Sequence, residues 1–280
     1  MLELYYSDIA NSIRYAYSKG EIAQQSDFHL HDRFEIYFFI SGDVNYFIEK
    51  KMYPLKYGDL LIINDHEIHK PSFLSNNTYE RITIHFNPSI PKLLGSPDFD
   101  LLHCFTCRPK GEQNKINLDS DQIKKILELF HKIENSGKSN SDGSDVLKLT
   151  YFIELLVFIN RAFLSIKQEK EHPNVPEKLI PILDYIDKNP ESDLSLEGLE
   201  QKFYIDRFYL SHLFKKSTGV NIHEYIILKR ISQAKKLLSE GLNVTDTCQA
   251  SGFNDYSNFI RIFRKTVGTS PGQFRKDHTG

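Results

Sequence analysis

Short apolar stretches separated by turn residues fill the first third of the chain. They are rich in aromatic and branched side chains, and the residues between them favour turns. Many short strands at regular spacing are typical of a β-sandwich or barrel. The predicted strands are Phe34–Ile40, Tyr46–Ile48, Leu60–Ile63 and Arg81–Phe86, with turns at Ser41–Asp43 and Lys50–Lys51.

Two helical patterns follow the strands. The first, Ser120–Ile133, places its apolar side chains on one side, and the serine- and glycine-rich segment Asn135–Ser144 is predicted as a loop. The second, Asp145–Ile166, is apolar around much of its surface. We expect a dimer interface, core packing or both from its positions Leu147, Tyr151, Phe152, Leu155, Leu156 and Ile159.

A charged segment with two prolines, residues 168–176, is predicted as a linker. It separates a sensing and dimerisation part, residues 1–167, from a C-terminal part, residues 177–280. The first would be a β-barrel with flanking helices and the second would be all-α. The predicted fold class is therefore α+β.

A helix-turn-helix unit is predicted just after the linker, behind a helix over Glu177–Lys188. Ser195 and Asp206 are suited to cap the two helices of the unit, because their side chains can accept orphan backbone N–H groups. The chain breaks near Tyr204, and Gly219 can end the second helix.

The same pattern recurs near the C-terminus. Tyr209–Gly219 and Asn258–Gly268 share an apolar residue, two variable positions, another apolar residue, phenylalanine, two basic residues and a later glycine. Asn243 or Thr245 can open a short preceding helix, and Asp255 can cap the helix that follows. The chain therefore contains two helix-turn-helix units.

One continuous helix, Ile222–Glu240, is predicted between the units. At about 1.5 Å rise per residue it is roughly 28 Å long, which approaches the length of about 34 Å of one turn of B-DNA. Such a spacer can set two recognition helices into successive major-groove segments. A plain helical bundle is the alternative, but it would leave the duplicated pattern unexplained.

Charge is distributed unevenly along the chain. The net charge is −2, yet residues 202–280 hold 13 basic and 6 acidic side chains, against 22 and 31 in residues 1–201. A basic C-terminal part behind an acidic body is typical of DNA-binding proteins. We expect no secretion signal and no membrane span, and the three cysteines suit a reducing cytoplasm.

The two units and their connecting helix carry a specific set of residues: Tyr209–Lys215, Gly219, Tyr225, Arg230, Ala234, Leu237–Leu238, Gly252–Phe253, Asp255, Ser257, Phe259, Arg261, Phe263–Lys265, Gly268, Ser270–Pro271 and Phe274–Arg275. With this set, the segment from Leu196 to Lys276 resembles the DNA-binding domain of the AraC/XylS family. The resemblance implies a homodimeric transcription regulator that binds double-stranded DNA and works with RNA polymerase.

The resemblance places the DNA contacts on the second helix of each unit. Glu200, Thr247–Cys248 and Phe274 depart from the family pattern at packing positions, and Ile260 replaces a small polar residue on the second recognition helix. We expect DNA contacts from Arg207, Phe208, Ser211, His212 and Lys215 in the first unit, and from Tyr256, Ser257, Asn258, Arg261, Arg264 and Lys265 in the second.

Polar rows run along two of the predicted strands. Alternate residues of a strand share a face, so each row would point one way. A buried polar group without a partner costs about 1–3 kcal/mol, so a polar ligand would supply partners that rows inside a barrel need. The rows are His29, His31, Arg33, Glu35, Tyr37 and Phe39, and Arg81, Thr83 and His85.

The region resembles a cupin-type barrel through Pro54–Asp59 and His69–Pro71. His29, His31, Glu35 and His69 resemble the metal quartet of metal-binding cupins, and such a set would suit zinc, iron, manganese or nickel. In AraC-family sensors this barrel binds a sugar or another metabolite, so the resemblance implies no metal and no cofactor. Ligand contacts are expected from His29, His31, Glu35, Tyr37, His69, Arg81 and His85, with structural histidines as the alternative.

Cys104 and Cys107 are spaced like a redox or zinc pair. If their stretch is a strand, the two side chains face opposite sides and cannot share a metal or a disulfide. The sequence holds no second pair of this spacing. We expect two ordinary thiols.

Together these patterns predict a cytoplasmic activator of transcription whose barrel binds a sugar. The ligand would change how the barrel holds the DNA-binding units, which requires different affinities for two arrangements. A metal-dependent cupin enzyme fused to a DNA-binding domain is one alternative, and it predicts bound metal and turnover. A ligand-independent DNA-binding dimer is the other, and it predicts no ligand-dependent change in melting temperature.

Overall fold

Two antiparallel sheets form the N-terminal part of the protein. The computed structural model describes residues 12–20, 33–75, 77–96, 98–165, 175–219 and 221–278. One sheet has the strand order β1-β7-β2-β5-β8 and the other the order β4-β3-β6. The strands in this part of the chain are β1 (Arg14–Gly20), β2 (Phe34–Ser41), β3 (Val44–Ile48), β4 (Lys51–Pro54), β5 (Asp59–Ile63), β6 (His69–Phe73), β7 (Tyr79–Phe86) and β8 (Lys115–Asn117).

Strand β2 is buried on both faces, which explains its apolar run from Ile36 to Ile40. Phe34, Ile36 and Phe38 lie in the core on the outer side of the larger sheet. Tyr37 and Phe39 alternate with them and lie in a second core, between the two sheets. The predicted class, a β-barrel or sandwich with flanking helices and a helical C-terminal part, is confirmed.

The sequence pattern did not predict four of the strands: β1, β4, β6 and β8. β1 is an edge strand that pairs with β7 and keeps most of its side chains exposed, and β6 contains Pro71. Neither has the strong apolar pattern of a central strand. The turn predicted at Lys50–Lys51 lies one residue earlier, at Glu49–Lys50, where Glu49 has a left-handed φ of 56°.

Helices cover the outer face of the larger sheet: α1 (Ser89–Leu94), α2 (His103–Thr106), α3 (Ser120–Lys138) and α4 (Ser144–Ser165). Helix α3 starts at a reciprocal capping box between Asp119 and Gln122. The predicted loop over Asn135–Ser144 is wrong at both ends, because α3 continues to Lys138 and α4 begins at Ser144. An ion pair of 2.6 Å between Lys138 and Glu134 supports the last turn of α3.

The two clustered cysteines do not lie on a strand. Cys104 is buried within α2, where burial raises the pKa of its thiol, and Cys107 is exposed just after that helix. The assumption that Cys104 and Cys107 lie on a strand is therefore wrong. The prediction of two separate thiols does not depend on it, since both are free.

The C-terminal part is helical and follows the predicted capping. Ser195, Asp206, Asn243 and Asp255 each accept a backbone N–H at a helix start, which confirms these caps and selects Asn243 over Thr245. After a 3-10 turn at Glu177–Leu179, the helices are α5 (Ile180–Lys188), α6 (Leu196–Phe203), α7 (Arg207–Thr218), α8 (Ile222–Ser239), α9 (Val244–Ala250), α10 (Tyr256–Val267) and α11 (Pro271–His278).

Helix α8 is the centre of this part. Tyr225, Ile231 and Leu238 are buried in a core that gathers side chains from both helix-turn-helix units. Helix α11 was not predicted; its Phe274 packs on Phe263 with ring centroids 5.7 Å apart. Among the described residues, no helix is both long and apolar enough to cross a membrane.

Candidate functional site

The first recognition helix, α7, divides its residues between the core and solvent. Leu210 and Phe214 are buried, whereas Phe208 is 73% exposed. On the outward side, the sequence-predicted DNA contacts His212 and Lys215 are exposed, and Arg207 and Ser211 are half-buried. The predicted set for this unit thus occupies one accessible surface.

Two acidic side chains restrain the start of α7. The Arg207 guanidinium forms an ion pair of 2.5 Å with Glu197, and it also lies over the Phe208 ring, 5.2 Å from the centroid. The backbone N–H of Arg207 donates to Glu200 at 3.2 Å. Glu200, which departs from the AraC/XylS pattern, therefore supplements the cap from Asp206.

The second recognition helix, α10, has a clearer division. Phe259 and Phe263 are buried, and Ile260 is half-buried against the same core, so Ile260 acts in packing. Arg261 donates to Asn258 at 2.7 Å, which orders both side chains on the outer face. The other predicted contacts of this helix, Tyr256, Ser257, Arg264 and Lys265, are exposed.

A buried carboxylate links two histidines inside the barrel. Glu35 lies opposite His85 on the neighbouring strand. Its Oε2 is 3.4 Å from Nε2 of His85 and 3.1 Å from Nε2 of His69. Burial alone would lower the pKa of His69, but the hydrogen bond and charge of Glu35 outweigh it and hold that pKa above its usual value.

Tyrosines extend this polar cluster across the interior. The hydroxyl groups of Tyr37 and Tyr79 form a short hydrogen bond, and the Arg81 guanidinium lies over the Tyr79 ring at 4.6 Å. Tyr46 stacks on His69 with ring centroids 6.2 Å apart. Sequence reasoning missed Tyr46 and Tyr79, although both alternate onto the inward face of strands that it had partly found.

The structure describes two residues of the predicted metal quartet, Glu35 and His69. His29 and His31 lie outside the described residues. Glu35 and His69 come together as predicted, with His85 as a third member. Within the described ranges, no group of three or more histidine, cysteine, aspartate or glutamate side chains is placed to hold a metal ion.

Helix α4 serves mainly as core. Phe152, Leu155, Leu156 and Ile159 are buried between this helix and the larger sheet. Three other apolar residues reach solvent, and Leu164 is the most exposed of them at 61%. The exposed set is Val146, Leu147 and Leu164.

Both halves of the chain match protein families. Residues 14–156, just over half of the chain, match the family described as the AraC-like ligand binding domain. Residues 199–277 match a helix-turn-helix domain family. These ranges coincide with the barrel and its helices, and with the two DNA-binding units.

Similar proteins are transcription regulators. The HTH-type regulator YijO of Escherichia coli K12 is 41% identical over 98 residues, 35% of each chain. The arabinose operon regulatory protein of the same strain is 30% identical over 150 residues, 53% of this chain and 50% of its own. The lactose operon transcription activator of Staphylococcus xylosus is 27% identical over 158 residues, 56% of each chain. The matched regions thus span about a third to just over half of these relatives.

A solved structure of ToxT from Vibrio cholerae aligns with 96% of this chain and 100% of its own, at 15% identity and a TM-score of 0.40. The family matches cover a ligand-binding domain and a DNA-binding domain in the order seen along the fold. The chain therefore belongs to the AraC family of DNA-binding transcription regulators.

Proposed function

We propose that this regulator responds to a sugar held between the two sheets of the barrel. The observation that carries the proposal is the Glu35 carboxylate shared by His69 and His85. Sugar hydroxyls donate and accept hydrogen bonds, so they can pair with a carboxylate, imidazoles and the Arg81 guanidinium. The His85 side chain is 30% exposed, which makes the cluster accessible from one end.

The relatives support a sugar as the ligand and activation as the response. Two of them are described as regulators of the arabinose and lactose operons, and one of these as a transcription activator. We infer that this chain likewise activates transcription, in contact with RNA polymerase and in the cytoplasm, where the DNA is. It acts as a homodimer through the apolar residues that α4 exposes.

DNA recognition is assigned to the outward faces of α7 and α10. Their exposed polar and aromatic side chains can reach base edges and phosphates, as in other helix-turn-helix proteins. The sequence-predicted contacts, from Arg207 to Lys215 and from Tyr256 to Lys265, lie on these faces. Arg261 is the expected base-reading residue of the second unit, since Asn258 orients its guanidinium.

A thermal-shift screen against monosaccharides and disaccharides tests the ligand proposal. A sugar at a concentration of about 100 Kd stabilises the folded state by about 2.7 kcal/mol and raises the Tm. The Arg81→Ala variant should lose this shift, whereas Glu134→Gln, on the remote helix α3, should keep it. If no sugar raises the Tm, the ligand-independent dimer becomes the better description.

Elemental analysis tests the enzyme alternative. Protein purified without a metal-affinity tag should hold much less than one equivalent of transition metal per chain, and chelation should leave sugar binding intact. Bound metal requires neutral imidazoles, so an occupied site would empty as the pH falls through about 6.5. One equivalent of metal, lost in His69→Ala, would favour a metal-dependent cupin enzyme.

A further inference from the structure

The barrel and the DNA-binding part meet along helix α8. Phe47 of β3 and Ile68, the residue just before β6, are buried in the same apolar core as the residues of α8. The Phe47 ring meets the Tyr225 ring edge-on, with centroids 6.3 Å apart. The helix that joins the two helix-turn-helix units therefore also contacts the sensor.

A buried ionic cluster occupies this contact. The Glu49 carboxylate, at the turn between β3 and β4, pairs with Lys229 in the middle of α8, and Lys229 also lies 2.5 Å from Asp187 of α5. The neighbouring Lys50 is 2.6 Å from Asp184 and 2.7 Å from Asp187. Burial alone would raise the pKa of Glu49, but Lys229 holds it below its usual value, so the carboxyl stays charged.

Strand β6 and the loop before it add backbone contacts. Lys235 of α8 donates to the carbonyl of Asp65 at 2.7 Å. Lys70 of β6 donates to the carbonyl of Gly219, the residue that ends the first recognition helix, at 3.5 Å. One side of this segment is therefore fixed to the DNA-binding part at two places.

The other side of β6 belongs to the barrel interior. His69 contacts Glu35 through Nε2, and its Nδ1 is hydrogen-bonded to the carbonyl of Glu67 at 2.8 Å. The stacked Tyr46 ring limits rotation of the imidazole. A change at His69 must therefore be absorbed by the backbone of residues 67–70.

That backbone is bonded directly to the ionic cluster. The N–H of Ile68 donates to Oε1 of Glu49 at 2.8 Å, and the N–H of Glu49 donates to the carbonyl of Ile68 at 2.9 Å. His69 and Ile68 are adjacent in sequence, but His69 contacts Glu35 in the barrel interior whereas Ile68 is buried in the core shared with α8. The polar cluster around Glu35 and the contact with α8 are therefore connected through two adjacent residues, His69 and Ile68.

We propose that strand β6 couples the barrel interior to helix α8 and that the Glu49–Lys229 ion pair holds the two parts together. The coupling rests on the proposed ligand site around Glu35. A ligand that draws Glu35 away from His69 shifts the backbone at Ile68, loosens Glu49 from Lys229 and releases α8 from the barrel. Such a ligand acts because it favours one of two arrangements.

Distance measurements on the full chain test this coupling without any ligand or DNA. A spin label on the exposed Cys107 reports on the barrel, and a second label on Thr245→Cys reports on α9; Cys104 and Cys248 are buried. The parent protein should give one narrow distance distribution. Glu49→Gln keeps the shape of the side chain but removes its charge, and should raise the population of longer distances by at least about tenfold, because breaking one partner of a buried ion pair is strongly unfavourable.

A double-mutant comparison tests the route. Glu35→Gln should shift the distribution in the parent background and add little in the Glu49→Gln background, because both changes act through one path. Glu134→Gln removes a charge from α3, remote from the contact, and should change nothing. Equal shifts from Glu35→Gln in both backgrounds, or a narrow distribution in Glu49→Gln, would overturn the proposal.

A milder variant tests the same contact in case Glu49→Gln does not fold. If Glu49→Gln unfolds, as near-UV circular dichroism would show, Lys50→Gln tests the same contact from its half-exposed edge. An unchanged distribution in that variant would also contradict the coupling. The distance measurements use no sugar, so the two proposals can fail separately. A barrel that binds no sugar would refute the proposed ligand but not the coupling. Unchanged distances would refute the coupling but not sugar binding.

Discussion

The barrel interior and the proposed DNA-binding face, on the outward sides of α7 and α10, use the same kinds of side chain in opposite surroundings. Inside the barrel, Glu35 and His69 are buried and contact each other. On the DNA-binding face, His212, Tyr256 and Arg261 are exposed on two helices. Buried polar groups depend on their partners, because an unpaired one keeps its full desolvation cost. Exposed groups exchange their partners for water at little cost and remain available to a ligand as large as DNA.

The largest expected effect is on stability and falls on the barrel. Glu35→Ala leaves His69 buried without its carboxylate, and loss of one partner of a buried pair costs about 3–5 kcal/mol of unfolding free energy. His212→Ala, on the DNA-binding face, should stay within about 0.5 kcal/mol of the parent. Chemical denaturation of both variants measures the difference. Equal losses would show that the contrast between the two regions is wrong.

The next effect is on DNA recognition. Arg261→Ala should lower discrimination at one base pair by about 1–3 kcal/mol while the free energy of unfolding stays unchanged. Lys265→Ala serves as the matched control, and as a phosphate contact it should weaken binding to all sequences alike and reduce the salt slope by about 1. Binding titrations on a selected DNA site and its point variants measure both. An Arg261→Ala variant with the behaviour of the control would be a phosphate contact too.

Stability should also depend on pH through His69. Its folded pKa is raised by Glu35, above the ordinary value of about 6.5 that applies in the unfolded chain. Protonation therefore favours the folded state, and this contribution is complete below about pH 6.5 and is lost as the pH rises through the folded pKa. The difference in unfolding free energy between the parent and His69→Gln should shrink as the pH increases. A difference that grows with pH would contradict the pairing.

The smallest effect distinguishes the two recognition helices. Glu197 partly neutralises Arg207 on α7, in an exposed ion pair that contributes about 0.2–1 kcal/mol. Glu197→Gln should therefore leave stability nearly unchanged, strengthen DNA binding at low salt and steepen the salt slope by up to about 1, since one more cation becomes available to phosphate. Gel-shift titrations over a salt series would show this. A flat response would mean that Arg207 does not approach the DNA backbone.

Local signals made the C-terminal part predictable. The caps at Ser195, Asp206 and Asp255, and the left-handed glycines Gly219 and Gly268, act within a few residues of their own positions. A helix boundary of this kind is encoded where it occurs. The same holds for the alternation that placed Glu35 and His85 in inward-facing polar rows of neighbouring strands, whereas His69 was predicted through the resemblance to a cupin barrel.

Long-range contacts could not be read in the same way. Lys50 looked like a solvated turn residue, yet it pairs with Asp184, and its neighbour Glu49 pairs with Lys229, 180 positions away. Charged residues at a turn are expected to be exposed to solvent. The sequence alone does not show that a distant helix packs over them. The edge strand β1 was missed for a related reason: its identity as a strand comes from pairing with β7 rather than from its own composition.

Lys229 lies near the middle of α8, so a tilt of the helix about this contact would have a central pivot. The 18 residues of α8 extend over about 27 Å at roughly 1.5 Å per residue. A tilt of about 10° around the pivot would move the two ends by roughly 2 Å in opposite directions. Neighbouring base pairs are about 3.4 Å apart, so such a tilt would displace each recognition helix relative to the DNA by more than half of a base-pair step, in opposite directions.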